Sequence, residues 1–119
     1  MKANNVLVLG SDGSGELVEE LFNGGFDPVA KETISQAVDS LRHDAYAAVV
    51  IDRTHSAADI IECVLNLRDV DADIPVLTIG RGYLVEEEKV LPQQSRVWMF
   101  KDMGIQDVTW QLQSLLNEF

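Results

Sequence analysis

Ala47-Ala48-Val49-Val50-Ile51-Asp52 is the stretch on which the fold turns. An apolar run rich in β-branched residues stops at a carboxylate. That pattern predicts a buried strand over Ala47–Ile51 that delivers one acid to its carboxyl end. In open parallel α/β sheets, ligands and chemistry gather at that edge. Working outward, Val6–Leu9 reads as a first strand, ending in the turn-rich Gly10-Ser11-Asp12-Gly13-Ser14-Gly15. Leu17, Val18, Leu21 and Phe22 then recur at helical spacing until Gly24-Gly25 stops the helix.

A weak second strand covers Pro28–Ala30, placed near the sheet edge by its proline. A second helix begins near Thr33, with Ile34, Ala37, Val38 and Leu41 on one face. The third helix spans Ala57–Arg68, with Ile60, Ile61, Val64, Leu65 and Leu67. Ile74–Ile79 forms a fourth strand closed by Gly80. A poorer helix follows over Leu84–Leu91, then a strand over Val97–Phe100. The last helix is Ile105–Leu116, with Val108, Leu112, Leu115 and Leu116 facing in. Alternating βα units imply parallel strands with right-handed crossovers. Five of them in 119 residues predict one α/β domain over 1–119: a flavodoxin-like, doubly wound (βα)5 unit with a five-stranded parallel sheet, order 2-1-3-4-5. That order makes Asp52 a neighbour of Gly10, Ser11 and Asp12, with Lys101 reaching in from the fifth strand.

Composition bounds the function. Hydrophobic residues make up 46%, enough for a packed interior. Nine basic against twenty acidic residues give a net charge of −11, which repels phosphate backbones, so direct nucleic-acid binding is not expected. The single cysteine, Cys63, sits among Ile60, Ile61, Val64 and Leu65 and reads as a small core residue. His43 and His55 have no second cysteine or zinc-type spacing near them. Met1-Lys2-Ala3-Asn4-Asn5 lacks a signal-peptide pattern, and no apolar run approaches membrane-spanning length. The expected compartment is the cytoplasm, without membrane contact.

In order and spacing, three pieces resemble a response-regulator receiver domain (CheY-like) over nearly the whole chain. Val49-Val50-Ile51-Asp52 is similar to that family's third strand with its phosphoacceptor. Asp73-Ile74-Pro75-Val76 is similar to the start of its fourth strand, and Val97-Trp98-Met99-Phe100-Lys101 to its fifth strand with the active-site lysine. The resemblance implies Asp52 as phosphoacceptor, Lys101 as its catalytic partner, and Gly80 and Trp98 at the switch positions.

Three departures make the resemblance atypical. The family's metal-holding pair of acids is replaced by Gly10-Ser11, which leaves Asp12, one residue late, and Asp52 as the metal-ligand candidates. Magnesium prefers hard oxygen ligands, with one or two carboxylates supplying charge. The family's Thr or Ser after the fourth strand is Gly80, with Thr78 two residues early, and its Lys-Pro step is Lys101-Asp102. Phosphoryl transfer to a carboxylate needs charge neutralisation from metal and lysine. Weak or absent phosphorylation is therefore expected, with no cofactor and no Mg²⁺ held at ordinary concentrations.

Each residue also has a plainer reading. Asp52 can cap the next helix or pair with Lys101. Trp98 can fill the space that Gly80 leaves. Trp110 reads as core packing rather than an interface anchor. Glu86-Glu87-Glu88-Lys89 reads as a solvated helix face. The Gly10–Gly15 loop reads as a turn and N-cap, since it lacks the dinucleotide fingerprint. The expectation is a non-enzymatic, two-component-type signalling domain working through protein contacts. It would act as a homodimer or joined to an output domain such as a transcription activator. Two alternatives stay open: a working phosphoacceptor with a shifted metal site, and a flavodoxin-like binder of a small ligand.

Overall fold

A computed structural model describes residues 4–10, 15–52, 60–80, 85–93, 96–101 and 105–117, with positions 80, 85, 92, 101, 105 and 106 described by backbone alone. The strands are β1 (Asn5–Leu9), β2 (Asp27–Lys31), β3 (Ala48–Asp52), β4 (Val76–Gly80) and β5 (Val97–Lys101). The helices are α1 (Glu16–Asn23), α2 (Ile34–His43), α3 (Ile60–Val70), α4 (Val85–Val90) and α5 (Ile105–Leu116), with a 3-10 turn at Leu91–Gln93. All strand pairings are parallel and the order is β2-β1-β3-β4-β5, as the alternating units predict.

The central strands are apolar because both faces are covered. Leu7, Leu9, Val49 and Ile51 point into one cluster with Ala37 and Leu41 of α2 and Ile60, Val64 and Leu67 of α3. Val6, Val8, Ala48 and Val50 point the other way, into a cluster with Leu17 and Leu21 of α1 and Val108 and Leu112 of α5. Each buried Val, Leu or Ile side chain among them contributes about 1.5–3 kcal/mol relative to exposure. Cys63 is buried in the first cluster. The two outer strands, β2 and β5, are only half-buried along most of their length.

The helix ends are set by local chemistry. The Gln36 N–H donates to Thr33 Oγ1 at 3.2 Å while the Gln36 side chain accepts from the Thr33 N–H at 3.3 Å, a capping box that starts α2. Gly15 occupies the N-cap position of α1 without a side-chain cap, and the rest of the expected turn, 11–14, lies outside the described residues. It stops at Gly24 and then Gly25, whose φ of 95° suits glycine. A Cβ on Gly24 would lie 2.1 Å from Thr109 Cγ2, so a bare backbone is what lets α1 and α5 approach. The Thr109 hydroxyl donates to the Glu20 carbonyl at 3.2 Å, and Gln113 Nε2 to the Gly24 carbonyl at 3.1 Å.

Several boundaries and placements differ from expectation. β3 runs through Asp52 and omits Ala47, β2 is longer at both ends, and β4 begins after Pro75. α3 continues past Arg68 to Val70, while its expected start, at 57–59, lies outside the described residues. Trp110 is 64% exposed instead of packed in the core: Val108 and Leu112 take the inward stripe, and position 110 is turned about 200° from Val108. Glu87 is only 2% exposed, so the acidic run is not wholly a solvated face; with Leu91 one turn later it forms the inward side of this segment. Among the described residues no helix is long and apolar enough to cross a membrane.

Candidate functional site at the carboxyl edge of the sheet

Asp52 ends β3 and pairs in register with Ile79 of β4. It is 7% exposed, a carboxylate at the rim of the core. On one side, Leu9 pairs with Ile51, so Gly10 stands one step on, level with Asp52. On the other side, Gly80 pairs with Lys101. Strand register therefore brings positions 10, 52, 80 and 101 to one edge. Two strand spacings, about 10 Å of backbone, separate β3 from β5.

Gly10 has a φ of 99°, and its N–H donates to the Lys31 carbonyl at 2.9 Å. The chain thus leaves β1 in a conformation that side chains rarely adopt. The lack of a carboxylate at position 10 is matched by a backbone that disfavours one. Positions 11–14, including the metal-ligand candidate Asp12, lie outside the described residues, and so does the side chain of Lys101.

Thr78 is fully buried, and its hydroxyl donates to the Trp98 carbonyl at 3.3 Å. The hydroxyl two residues before Gly80 is therefore tied to β5 within the sheet. Trp98 pairs with Leu77 and packs, half-buried, against the α1/α5 cluster. Side chains alternate along a strand, so position 80 faces the side opposite Leu77. Trp98 packs on the Leu77 side of the sheet, not on the side that position 80 faces.

Glu87 is a buried acid that reads in the sequence as part of a solvated face. Its neighbours in a run of acids hid it; the signal available was the four-residue spacing to Leu91, which puts both on one helical face. At the opposite, amino edge, the Arg68 guanidinium donates to the Ala72 carbonyl. Burial lowers its pKa below the usual arginine value, against the raising effect of Asp71 and Asp73. A cleft of about 590 Å³ opens at that edge, lined in part by Phe26, Tyr46, Pro75 and Arg96. Among the described residues no group of three or more acidic, histidine or cysteine side chains is placed to hold a metal ion.

No family model matches the sequence, and neither does any curated protein. Solved structures do match. A CheY-like response-regulator receiver domain from Methanospirillum hungatei shares 11% identity with a TM-score of 0.81, over 98% of this chain and 96% of that one. The receiver domain of a Pseudomonas aeruginosa sensor histidine kinase, with a magnesium ion coordinated in its active-site cleft, shares 16% identity with a TM-score of 0.75, over 98% and 99%. The constitutive lysine decarboxylase of E. coli shares 14% identity with a TM-score of 0.73, over 97% of this chain but 17% of that one. One fold thus stands alone as a receiver and inside an enzyme, as expected when function lives in sites rather than folds. At these identities the likeness is one of architecture: the chain has the flavodoxin-like fold of response-regulator receiver domains.

Proposed function

We propose that this is a receiver-type domain of two-component signalling that works through protein contacts, with Asp52 phosphorylated slowly or not at all. The observation that carries this reading is Gly10. It stands level with Asp52 at the edge where a receiver gathers its chemistry, with a φ of 99° and no carboxylate. A phosphoryl group arriving at Asp52 develops charge on its oxygens, and a bound cation is the strongest way to neutralise it. Without acids from β1, Lys101 is left as the main positive group for that task. Gly80 removes a second contact, because it has no hydroxyl. The protein would then transmit its state through a partner or a joined output domain.

The test is a beryllofluoride titration with Mg²⁺, followed by amide chemical shifts near Asp52 and by Trp98 fluorescence. The expected result is no saturable change at millimolar metal. Saturable, metal-dependent shifts centred on Asp52, or a rapid acyl phosphate from a small phosphodonor, would instead establish a working phosphoacceptor.

A further inference from the structure

The cleft at the amino edge lies at the opposite end of the strands from Asp52 and has no part in the proposed function. It is elongated. Its lining takes a residue from the approach to every strand: Phe26, Asn4, Ala47, Pro75 and Arg96, in the order β2-β1-β3-β4-β5. Four strand spacings put its two ends about 19 Å apart. The main-chain polar groups along it are already bonded within the fold. The Asn4, Pro75 and Arg96 carbonyls accept from the N–H groups of Asp27, Val49 and Val76 at 2.9–3.1 Å, and the Ala47 N–H donates to the Asn5 carbonyl at 2.8 Å. The Gly24 and Gly25 carbonyls accept from the side chains of Gln113 and Asn4. The Tyr46 hydroxyl is hydrogen-bonded to Ser40 of α2. A floor whose hydrogen bonds are already made suits an apolar occupant. An extended peptide laid there would leave its own N–H and C=O groups without partners.

Charge gives the occupant its head. Among the described residues that line the cleft there is one base, Arg96, and no acid, although 20 of the chain's 119 residues are acidic. Arg96 is also the one non-glycine residue among them with a positive φ, 57°, a conformation that side chains rarely adopt. Its guanidinium is set at the β4–β5 end by donating to the Asp73 carbonyl at 3.1 Å. Exposed Asp27 follows Phe26 at the β2 end and repels an anion there. We infer that the cleft binds a free alkyl carboxylate of medium length, with its acid at Arg96 and its chain laid across the strand starts toward Phe26. Asp71 and Asp73 stand near the head, where they act on Arg68 against the opposing charge of Arg96. Two acids against two guanidinium groups leave that end close to neutral, so the chain supplies most of the affinity and Arg96 sets its direction.

The probes are hexanoate, octanoate and decanoate, followed by amide chemical shifts. The expected result is saturable shifts centred on Gly25, Ala47 and Arg96, with binding tightened about two- to fourfold by each added methylene. Methyl octanoate keeps the chain and removes the charge, as an esterified chain would, and should bind about two- to fivefold more weakly than octanoate. Arg96→Gly removes the guanidinium and suits the φ of 57°, so its fold is not at risk. It should weaken octanoate by the same factor and leave the methyl ester unchanged. Ala47→Leu, at a half-buried lining position, should obstruct the chain and weaken octanoate about tenfold. Shifts centred away from the amino edge, or an affinity indifferent to chain length, would overturn the inference. So would equal binding of the methyl ester, which would assign the cleft to esterified chains, or an Arg96→Gly variant that binds octanoate as the parent does. None of these outcomes bears on phosphorylation of Asp52, so the two readings stand or fall separately.

Discussion

Two glycines do different work. Gly10 is required by backbone conformation, because its φ of 99° penalises any Cβ. Gly10→Asp, the substitution that would bring back an acid at this edge, should therefore cost about 1–2 kcal/mol in urea unfolding. It should also fail to produce tight Mg²⁺ binding in a calorimetric titration, since the new carboxylate starts from a strained backbone. Gly24 is required by space, because a Cβ would lie 2.1 Å from Thr109 Cγ2. Gly24→Ala should lose about 1–3 kcal/mol through overpacking. Adding Thr109→Ser removes that methyl group and keeps the hydroxyl bonded to the Glu20 carbonyl, so the double variant should recover part of the loss. Additive losses in the cycle would show that the contact is not the cause. Neither role was legible in the sequence, where Gly10 read as turn chemistry and Gly24 as a helix stop. A residue type gives its conformational freedom but not the neighbour that makes freedom necessary.

At the scale of elements, patterns with strong period were read well and those with weak period poorly. β1 and β3 alternate between two buried clusters, and their unbroken Val, Ile and Leu runs made them visible. Asp52 could be placed at a strand end for the same reason. α4 was hard because three successive acids mask a single inward position. Glu87→Ala should destabilise by about 2 kcal/mol or more, whereas Glu86→Ala and Glu88→Ala at exposed positions should stay within about 0.5 kcal/mol. Equal effects in thermal unfolding of the three variants would remove the case for Glu87 as a buried carboxylate. Trp110 shows the limit from the other direction. Its size suggested the core, yet its angle on α5 sends it to solvent.

For the whole molecule, strand order came directly from five alternating units, since right-handed crossovers leave few ways to arrange them. The site followed only as far as register goes: positions 10, 52, 80 and 101 share an edge because the strands are parallel and in order. The surfaces open to a partner are less legible, because charge and packing at the edges depend on faces that only the assembled sheet defines. The net charge of −11 acts at this scale too. Self-repulsion opposes the compact state and is screened by salt. The melting temperature should therefore rise between low salt and about 0.5 M sodium chloride, where the Debye length is shorter than the spacing of most surface charges. A flat or falling response would mean that attractive pairs offset the excess of acids.

The keying of Gly24 into Thr109 has a consequence for how the chain is made. Within this fold α1 is made before the other helices, and the helix that covers its apolar stripe is made after them. Leu17 and Leu21 wait for Val108 and Leu112 while the elements between them are made, so their apolar stripe stays uncovered until α5 emerges.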